Sequence, residues 1–198
     1  MSRIRLGVMG GTFDPIHFGH LVAASEAASA FDLDKVLFVP TGEPWQKQEI
    51  TSSAHRVEMT RLAIAGNSLF DISTIDVDRS GPTYTVDTLR DIHTAYPAAD
   101  VFFITGADSI SQIDTWKDSE LIWPLANFVG VTRPGHSLEV PKSARGEVSL
   151  LEIPALAISS TDIRARVKSG KPIDYLLPQA VIDYIQKNDL YRFDQGTK

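Results

Sequence analysis

Apolar residues along this chain fall into short solid runs, separated by longer stretches in which they recur every three or four positions. The first pattern predicts buried strands, and the second predicts helices with one inward face. Runs at 4–9, 35–40, 70–73, 100–105, 128–132 and 148–153 predict strands, with Val101-Phe102-Phe103-Ile104 the most central. Stretches at 21–31, 54–65, 83–96, 161–168 and 178–187 predict helices, with further helical segments after 106–108 and over 118–125. Val57, Leu62, Ile64 and Ala65 give one helix its apolar positions, and Val86, Leu89, Ile92 and Ala95 recur at three-residue steps in the next. Residues 75–78 read as an irregular extension, 80–82 as a turn, and 41–51 and 134–146 as polar loops. Pro40, Gly66, Pro97 and Gly170 supply the stops.

Strands alternating with helices imply βαβ units, so the expected class is α/β. The expected architecture is Rossmann-like: a doubly wound, mostly parallel sheet with helices on both faces and a small C-terminal helical region over about 159–193. In such a sheet a ligand sits beyond the carboxyl ends of the strands, where strand order reverses. The turn at Gly10-Gly11, Lys47, Gly106 to Asp108, Arg133 and Ser159 to Thr161 each follow a predicted strand closely. One fold therefore brings them to the same edge. With no repeat or linker in the chain, residues 1–193 are expected to form a single domain and 194–198 a loose tail.

The densest chemistry lies in Gly10-Gly11-Thr12-Phe13-Asp14-Pro15-Ile16-His17-Phe18-Gly19-His20. Strand, glycine turn and helix present main-chain N–H groups to a phosphate. His17 and His20 are three residues apart and share one helix face, and Gly19 leaves that face open. Two imidazoles beside a row of amide donors suit a phosphate that gains charge during reaction. Zinc is the alternative, but it needs three or four ligands. The chain has no cysteine, and its other histidines stand at 55, 93 and 136.

A second constellation is Ile158-Ser159-Ser160-Thr161-Asp162-Ile163-Arg164. Ser159 or Ser160 caps a helix here, and Arg164 stands one turn in. A helix N-terminus carries partial positive charge and spare donors. Arg164 adds a planar fork suited to phosphate oxygens. The plainer alternative is a simple cap with a solvated arginine.

Composition narrows the field. The 198 residues are 43% apolar, enough for a sizeable core, and no stretch approaches a membrane span. The start, Met-Ser-Arg-Ile-Arg, runs into the first strand without a signal-peptide core. Absent cysteines exclude a disulfide framework and fit a cytoplasmic location. A net charge of −6 argues against nucleic-acid partners. Anionic ligands then require positive charge gathered locally.

Gly-Thr-Phe-Asp-Pro-Ile-His-Phe-Gly-His resembles the nucleotidylyltransferase signature with its H-x-G-H core, and Ile-Ser-Ser-Thr-Asp-Ile-Arg resembles the second signature of that superfamily. From about Arg3 to Phe193 the chain is similar to the bacterial nicotinate-nucleotide adenylyltransferases. Gly81-Pro82-Thr83-Tyr84-Thr85-Val86-Asp87-Thr88-Leu89, Ile104 to Asp108, Trp116 and Tyr175-Leu176-Leu177-Pro178 carry the likeness. The resemblance implies that Thr85 and Trp116 contact the nicotinate part of nicotinate mononucleotide. It implies that Gly106 to Asp108 sit by the adenosine ribose and that Ser159, Ser160, Thr161 and Arg164 hold the ATP phosphates. Lys47 then contacts phosphate. Thr85 as a plain helix-start residue, Trp116 as a core residue, Asp108 as a cap and Lys47 as a solvated charge stay open as alternatives. The loop after the second strand departs from the family, with Trp45-Gln46-Lys47 where Pro-His-Lys is usual.

The implied reaction is adenylyl transfer from ATP to nicotinate mononucleotide, giving nicotinate adenine dinucleotide and pyrophosphate in NAD biosynthesis. The expected catalytic set is His17, His20, Lys47 and Arg164. The expected ATP-binding set is Gly10, Gly11, Thr12, Phe13, Gly106, Asp108, Arg133, Ser159, Ser160 and Thr161. Mg²⁺ is expected to ride on the ATP phosphates, without a dedicated protein metal site. ATP and nicotinate mononucleotide are the expected partners, with no nucleic acid and no membrane; a homo-oligomer is left open. Two alternatives remain: an adenylyltransferase for nicotinamide mononucleotide or pantetheine phosphate, and a non-catalytic nucleotide sensor.

Overall fold

The structure, a computed structural model, describes residues 3–44, 50–132, 148–154 and 156–192. Six strands form one sheet: β1 (Arg5–Gly11), β2 (Lys35–Pro40), β4 (Phe70–Ile72), β6 (Asp100–Gly106), β7 (Asn127–Thr132) and β8 (Val148–Glu152). Their order is β4-β2-β1-β6-β7-β8, and every neighbouring pair is parallel. The chain winds outward from β1 to β4, returns to β6 and winds outward on the other side. Strand order therefore reverses between β1 and β6, where Val8 pairs with Phe103. The crevice beyond their carboxyl ends is the expected ligand position.

Alternation along the strands sorts side chains onto two faces. Met9, Val36, Phe38, Phe102 and Ile104 join α1 (Phe18–Ala30), α2 (Ser53–Ile64), α6 (Ser160–Lys168) and α7 (Gln179–Lys187) in one core. Leu6, Val8, Leu37, Val39, Val101 and Phe103 join α4 (Thr85–Ala95) in the other. Both faces are covered, as doubly wound sheets require. In α1 the buried residues are Ala23, Ala24, Ala27 and Ala28. Small side chains let this helix lie close to the sheet and deliver its first turn to the end of β1.

Several expectations need correction. The histidine helix begins at Phe18, three residues earlier than the apolar pattern suggests, with His17 as its N-cap. Residues 75–78 form a short helix, α3 (Ile75–Asp78), instead of an irregular extension. Its Asp76 turns inward and accepts from Thr88 Oγ1 and Arg79, tying α3 to α4. The helical segment after Gly106 is α5 (Ala107–Ile110), while the expected helix over 118–125 is two 3-10 turns, Ser119–Leu121 and Trp123–Leu125. Asp118 is left-handed at φ 51° and Pro124 has no N–H to give, so no continuous helix can form. Glu43–Pro44 (β3), expected as loop, and Pro82–Thr83 (β5), expected as the end of a turn and the start of a helix, pair as two short parallel strands. The inner face of α2 is Arg56, Met59, Thr60 and Ile64, while Val57 and Leu62 are half-buried and Ala65 is exposed. Ala95 is likewise exposed. Lys47, the Trp45 position, Arg133, the polar loop at 134–146 and the tail at 194–198 lie outside the described residues. No described helix is long and apolar enough to cross a membrane.

Candidate active site

A cavity of about 760 Å³ opens at the β1–β6 crevice. Gly10, Gly11, Thr12, Phe13, His17, His20, Gly106, Asp108, Ser160, Thr161 and Arg164 all line it. Its size suits a nucleotide-scale ligand. The two sequence constellations, far apart in the chain, thus share one wall. Ser160 Oγ donates to the Pro15 carbonyl at 2.8 Å, and Arg164 Nη1 donates to the Asp14 carbonyl at 2.7 Å.

The histidines stand in contact. Their rings stack with centroids 3.8 Å apart at 29°. The His17 main-chain N–H donates to His20 Nδ1 at 3.2 Å. With Nδ1 accepting, a neutral His20 ring carries its proton on Nε2. His17 is only 7% exposed. Burial lowers its pKa from 6.5 to about 4, so at neutral pH its ring is uncharged. That removes like-charge repulsion from the stacked pair. His17 Nδ1 is buried without a hydrogen-bond partner among the described residues.

The amide rows are partly committed. Phe18 N–H donates to the Leu176 carbonyl at 3.1 Å and His20 N–H to the His17 carbonyl at 3.0 Å. In α6, Ser159 is the cap: its Oγ accepts from Asp162 N–H at 3.1 Å. Ser159 does not line the cavity; Ser160 and Thr161 do. Arg164 spends part of its fork on Asp14 and reaches Thr161 Oγ1 at 3.5 Å. A guanidinium has five N–H groups, so donors remain for a ligand.

Thr85 and Trp116 do not line this cavity. Thr85 opens α4, and Trp116 is half-buried against the second core with its ring edge-on to Phe103 at 6.2 Å. Tyr84, beside Thr85, packs on the same core and carries Lys117 Nζ 4.2 Å above its ring. Among the described histidines outside the cavity, His55 bonds Tyr184 Oη and His93 bonds the Leu125 carbonyl. Among the described residues no group of three or more His, Asp or Glu side chains is placed to hold a metal ion.

Sequence reasoning passed over a buried network behind the wall. Asp14, 3% exposed, accepts from Thr51 N–H at 3.1 Å and Tyr191 Oη at 2.6 Å. Burial first, then the adjacent Asp14 charge, raises the Tyr191 pKa, so the phenol stays a donor. Arg56 is fully buried on α2. Burial lowers its pKa, and Asp14 opposes that shift. The available signal was spacing: Arg56 lies three and eight positions before Met59 and Ile64, on their face of the helix. In front of this network Phe13 takes the left-handed region at φ 50°, which costs roughly 1–2 kcal/mol for a residue with a side chain.

Comparison with known proteins agrees with this geometry. The cytidylyltransferase-like family model matches residues 8–166. A protein of Leifsonia xyli subsp. xyli named "probable nicotinate-nucleotide adenylyltransferase" is 61% identical over 191 residues, 96% of each chain. A protein of Clavibacter michiganensis subsp. michiganensis with the same name is 59% identical, covering 98% of this chain and 96% of its own.

The chain belongs to the nicotinate-nucleotide adenylyltransferase family.

Among solved structures, Plasmodium falciparum nicotinic acid mononucleotide adenylyltransferase complexed with NaAD covers 98% of this chain and 100% of its own. It superposes with a TM-score of 0.79 at 25% identity. A family of adenylyl-transfer enzymes is thus matched across both constellations, with His17, His20 and Arg164 all present at one cavity.

Proposed function

We propose that this chain transfers the adenylyl group of ATP to nicotinate mononucleotide, releasing pyrophosphate and forming nicotinate adenine dinucleotide for NAD biosynthesis. The observation that carries the reading is the joined wall: Ser160 on Pro15 and Arg164 on Asp14 hold two phosphate-facing turns around one cavity. The names of the close relatives support the same reaction.

The mononucleotide phosphate is already ionised and is itself the nucleophile. It attacks the α-phosphorus in line; a P–O bond to the acceptor forms as the bond to pyrophosphate breaks, and no covalent enzyme intermediate is needed. Catalysis reduces to placement and charge neutralisation. His20, through Nε2–H, and His17 contact the α-phosphate or the bridging oxygen as charge develops. Arg164 and Lys47 hold the β- and γ-phosphates or the incoming phosphate. Gly106 and Asp108 lie by the ribose, and Arg133 keeps the ATP-binding role expected from the sequence. Thr85 and Trp116, outside the ATP cavity, receive the nicotinate ring and carboxylate.

Beside its imidazole and guanidinium groups the cavity offers two carboxylates, Asp108 and an Asp14 already bonded to Thr51 and Tyr191, so Mg²⁺ would be held mainly by the ATP phosphates. When bound with ATP, it would supply further neutralisation of phosphate charge beside His17, His20 and Arg164. Residues 1–193 are taken as one working unit, placed in the cytoplasm.

The test is pyrophosphate release from ATP with nicotinate mononucleotide, nicotinamide mononucleotide or pantetheine phosphate as acceptor. The acid mononucleotide is expected to give the highest kcat/KM. Equal values for the acid and the amide would remove the acid preference, and release with no acceptor would remove the reaction.

A further inference from the structure

We propose that Arg56 is a positioning residue for this reaction: from inside the wall it holds the Thr12 carbonyl and so aims the Phe13 N–H into the cavity. The inference rests on the adenylyl-transfer reading above and adds to it a residue that touches no substrate.

Arg56 has no solvent exposure, and its fork bonds three segments at once. Nη1 donates to the Thr12 carbonyl at 2.9 Å, Nη2 to the Gly42 carbonyl at 3.0 Å and Nε to the Thr51 carbonyl at 2.9 Å. A buried cation normally meets a carboxylate. This one spends its donors on main-chain oxygens, which fixes the orientation of peptide planes.

The Thr12–Phe13 peptide is trans. In a trans peptide the C=O and the following N–H point in opposite directions. Thr12 and Phe13 form part of the cavity wall, and Arg56 lies behind it. A carbonyl drawn back to Arg56 therefore turns the Phe13 N–H forward. Were this peptide to flip, a carbonyl oxygen would face the phosphates and repel them. A preorganised donor acts only while its plane is held.

The same guanidinium keeps Gly42 and Thr51 in register with the turn, and Asp14 grips Thr51 from its N–H side. Arg56 and Asp14 thus clamp the Thr51 residue at both its polar main-chain atoms. Lysine at position 56 keeps the charge but cannot reach three carbonyls in one plane.

The test has a wild-type arm and a variant arm. In the wild-type protein, the Phe13 amide proton is followed by NMR as inorganic pyrophosphate and then ATP are added; a downfield move is expected. Arg56→Lys is expected to lower kcat by at least about tenfold, with KM for the mononucleotide nearly unchanged. Arg56→Ala is expected to lose more, and millimolar guanidinium ion to restore part of it.

Full turnover per folded molecule in both variants, or a Phe13 amide that ignores both ligands, overturns the proposal. Lowered melting temperature with unchanged kcat also overturns it, since that is a purely structural role. If neither variant folds, the wild-type spectrum decides: a moving amide upholds the proposal and a still one ends it. A wild-type protein inactive with every acceptor fails the adenylyl-transfer reading instead, independently of Arg56.

Discussion

The hydroxyl of Ser160 donates to the carbonyl of Pro15 at 2.8 Å, across 145 positions of the chain. The bond makes the start of α6 and the turn after β1 one surface. Neither turn can shift without the other, so phosphate groups that touch both meet a fixed spacing.

His20 stands on that surface, and removing it tests the chemistry most directly. His20→Ala is expected to fold normally by circular dichroism and to lose about 10²–10³ in turnover, about 2.7–4 kcal/mol of transition-state stabilisation. A loss below about tenfold would take His20 out of the phosphate-facing role.

Two glycines at the cavity separate packing from access. A Cβ at Gly19 would lie 3.0 Å from Cε1 and Nδ1 of His17, so Gly19→Ala must displace the imidazole. Overpacking of this kind costs about 1–3 kcal/mol, and turnover should fall with stability. A Cβ at Gly106 meets nothing within 4 Å and enters the open cavity. Gly106→Ala is expected to stay within about 0.5 kcal/mol of the parent in thermal melts. Its KM for ATP should rise. The reverse pattern in melts and steady-state kinetics would contradict the geometry.

Acid should loosen the fold through His17. Its pKa is about 4 when folded against 6.5 unfolded, so between these values the unfolded chain binds more protons. Stability therefore rises with pH across that window, is fully present above 6.5 and is lost progressively as pH falls toward 4. The full effect is on the order of 3 kcal/mol. Denaturant titrations from pH 4 to 7 should show the slope, and His17→Gln should flatten it. An unchanged slope in the variant would assign the pH dependence to other groups.

The sequence made some of this legible and hid the rest for physical reasons. Gly10-Gly11 and Ser159-Ser160-Thr161 were readable because each turn depends on residue types that few other positions require: glycine for close approach, hydroxyls for a helix start. The sheet was readable because Val101 to Ile104 is apolar on both faces, as a strand covered on both sides must be. Arg56 was legible only through its spacing to Met59 and Ile64, and its role was not. Its partners are main-chain carbonyls, which leave no mark in sequence, and an arginine in a helix of mixed polarity reads as a solvated charge. The 3-10 turns at 119–125 were misread because Leu121, Ile122 and Leu125 keep a helical spacing that Asp118 and Pro124 do not let the backbone follow. His17 and His20 were placed on one helix face, but the sequence did not show that His17 is the N-cap or that the two rings stack.

Tyr191 Oη on Asp14 Oδ1 spans 177 positions. During synthesis, the first turn of the site leaves the ribosome long before the residue that secures its aspartate. A nascent chain halted short of position 191 would carry the histidines and glycines yet lack the phenol that seats Asp14 beneath them. Competence should then arrive late and abruptly as translation proceeds, so that shortened products are inert instead of partly active.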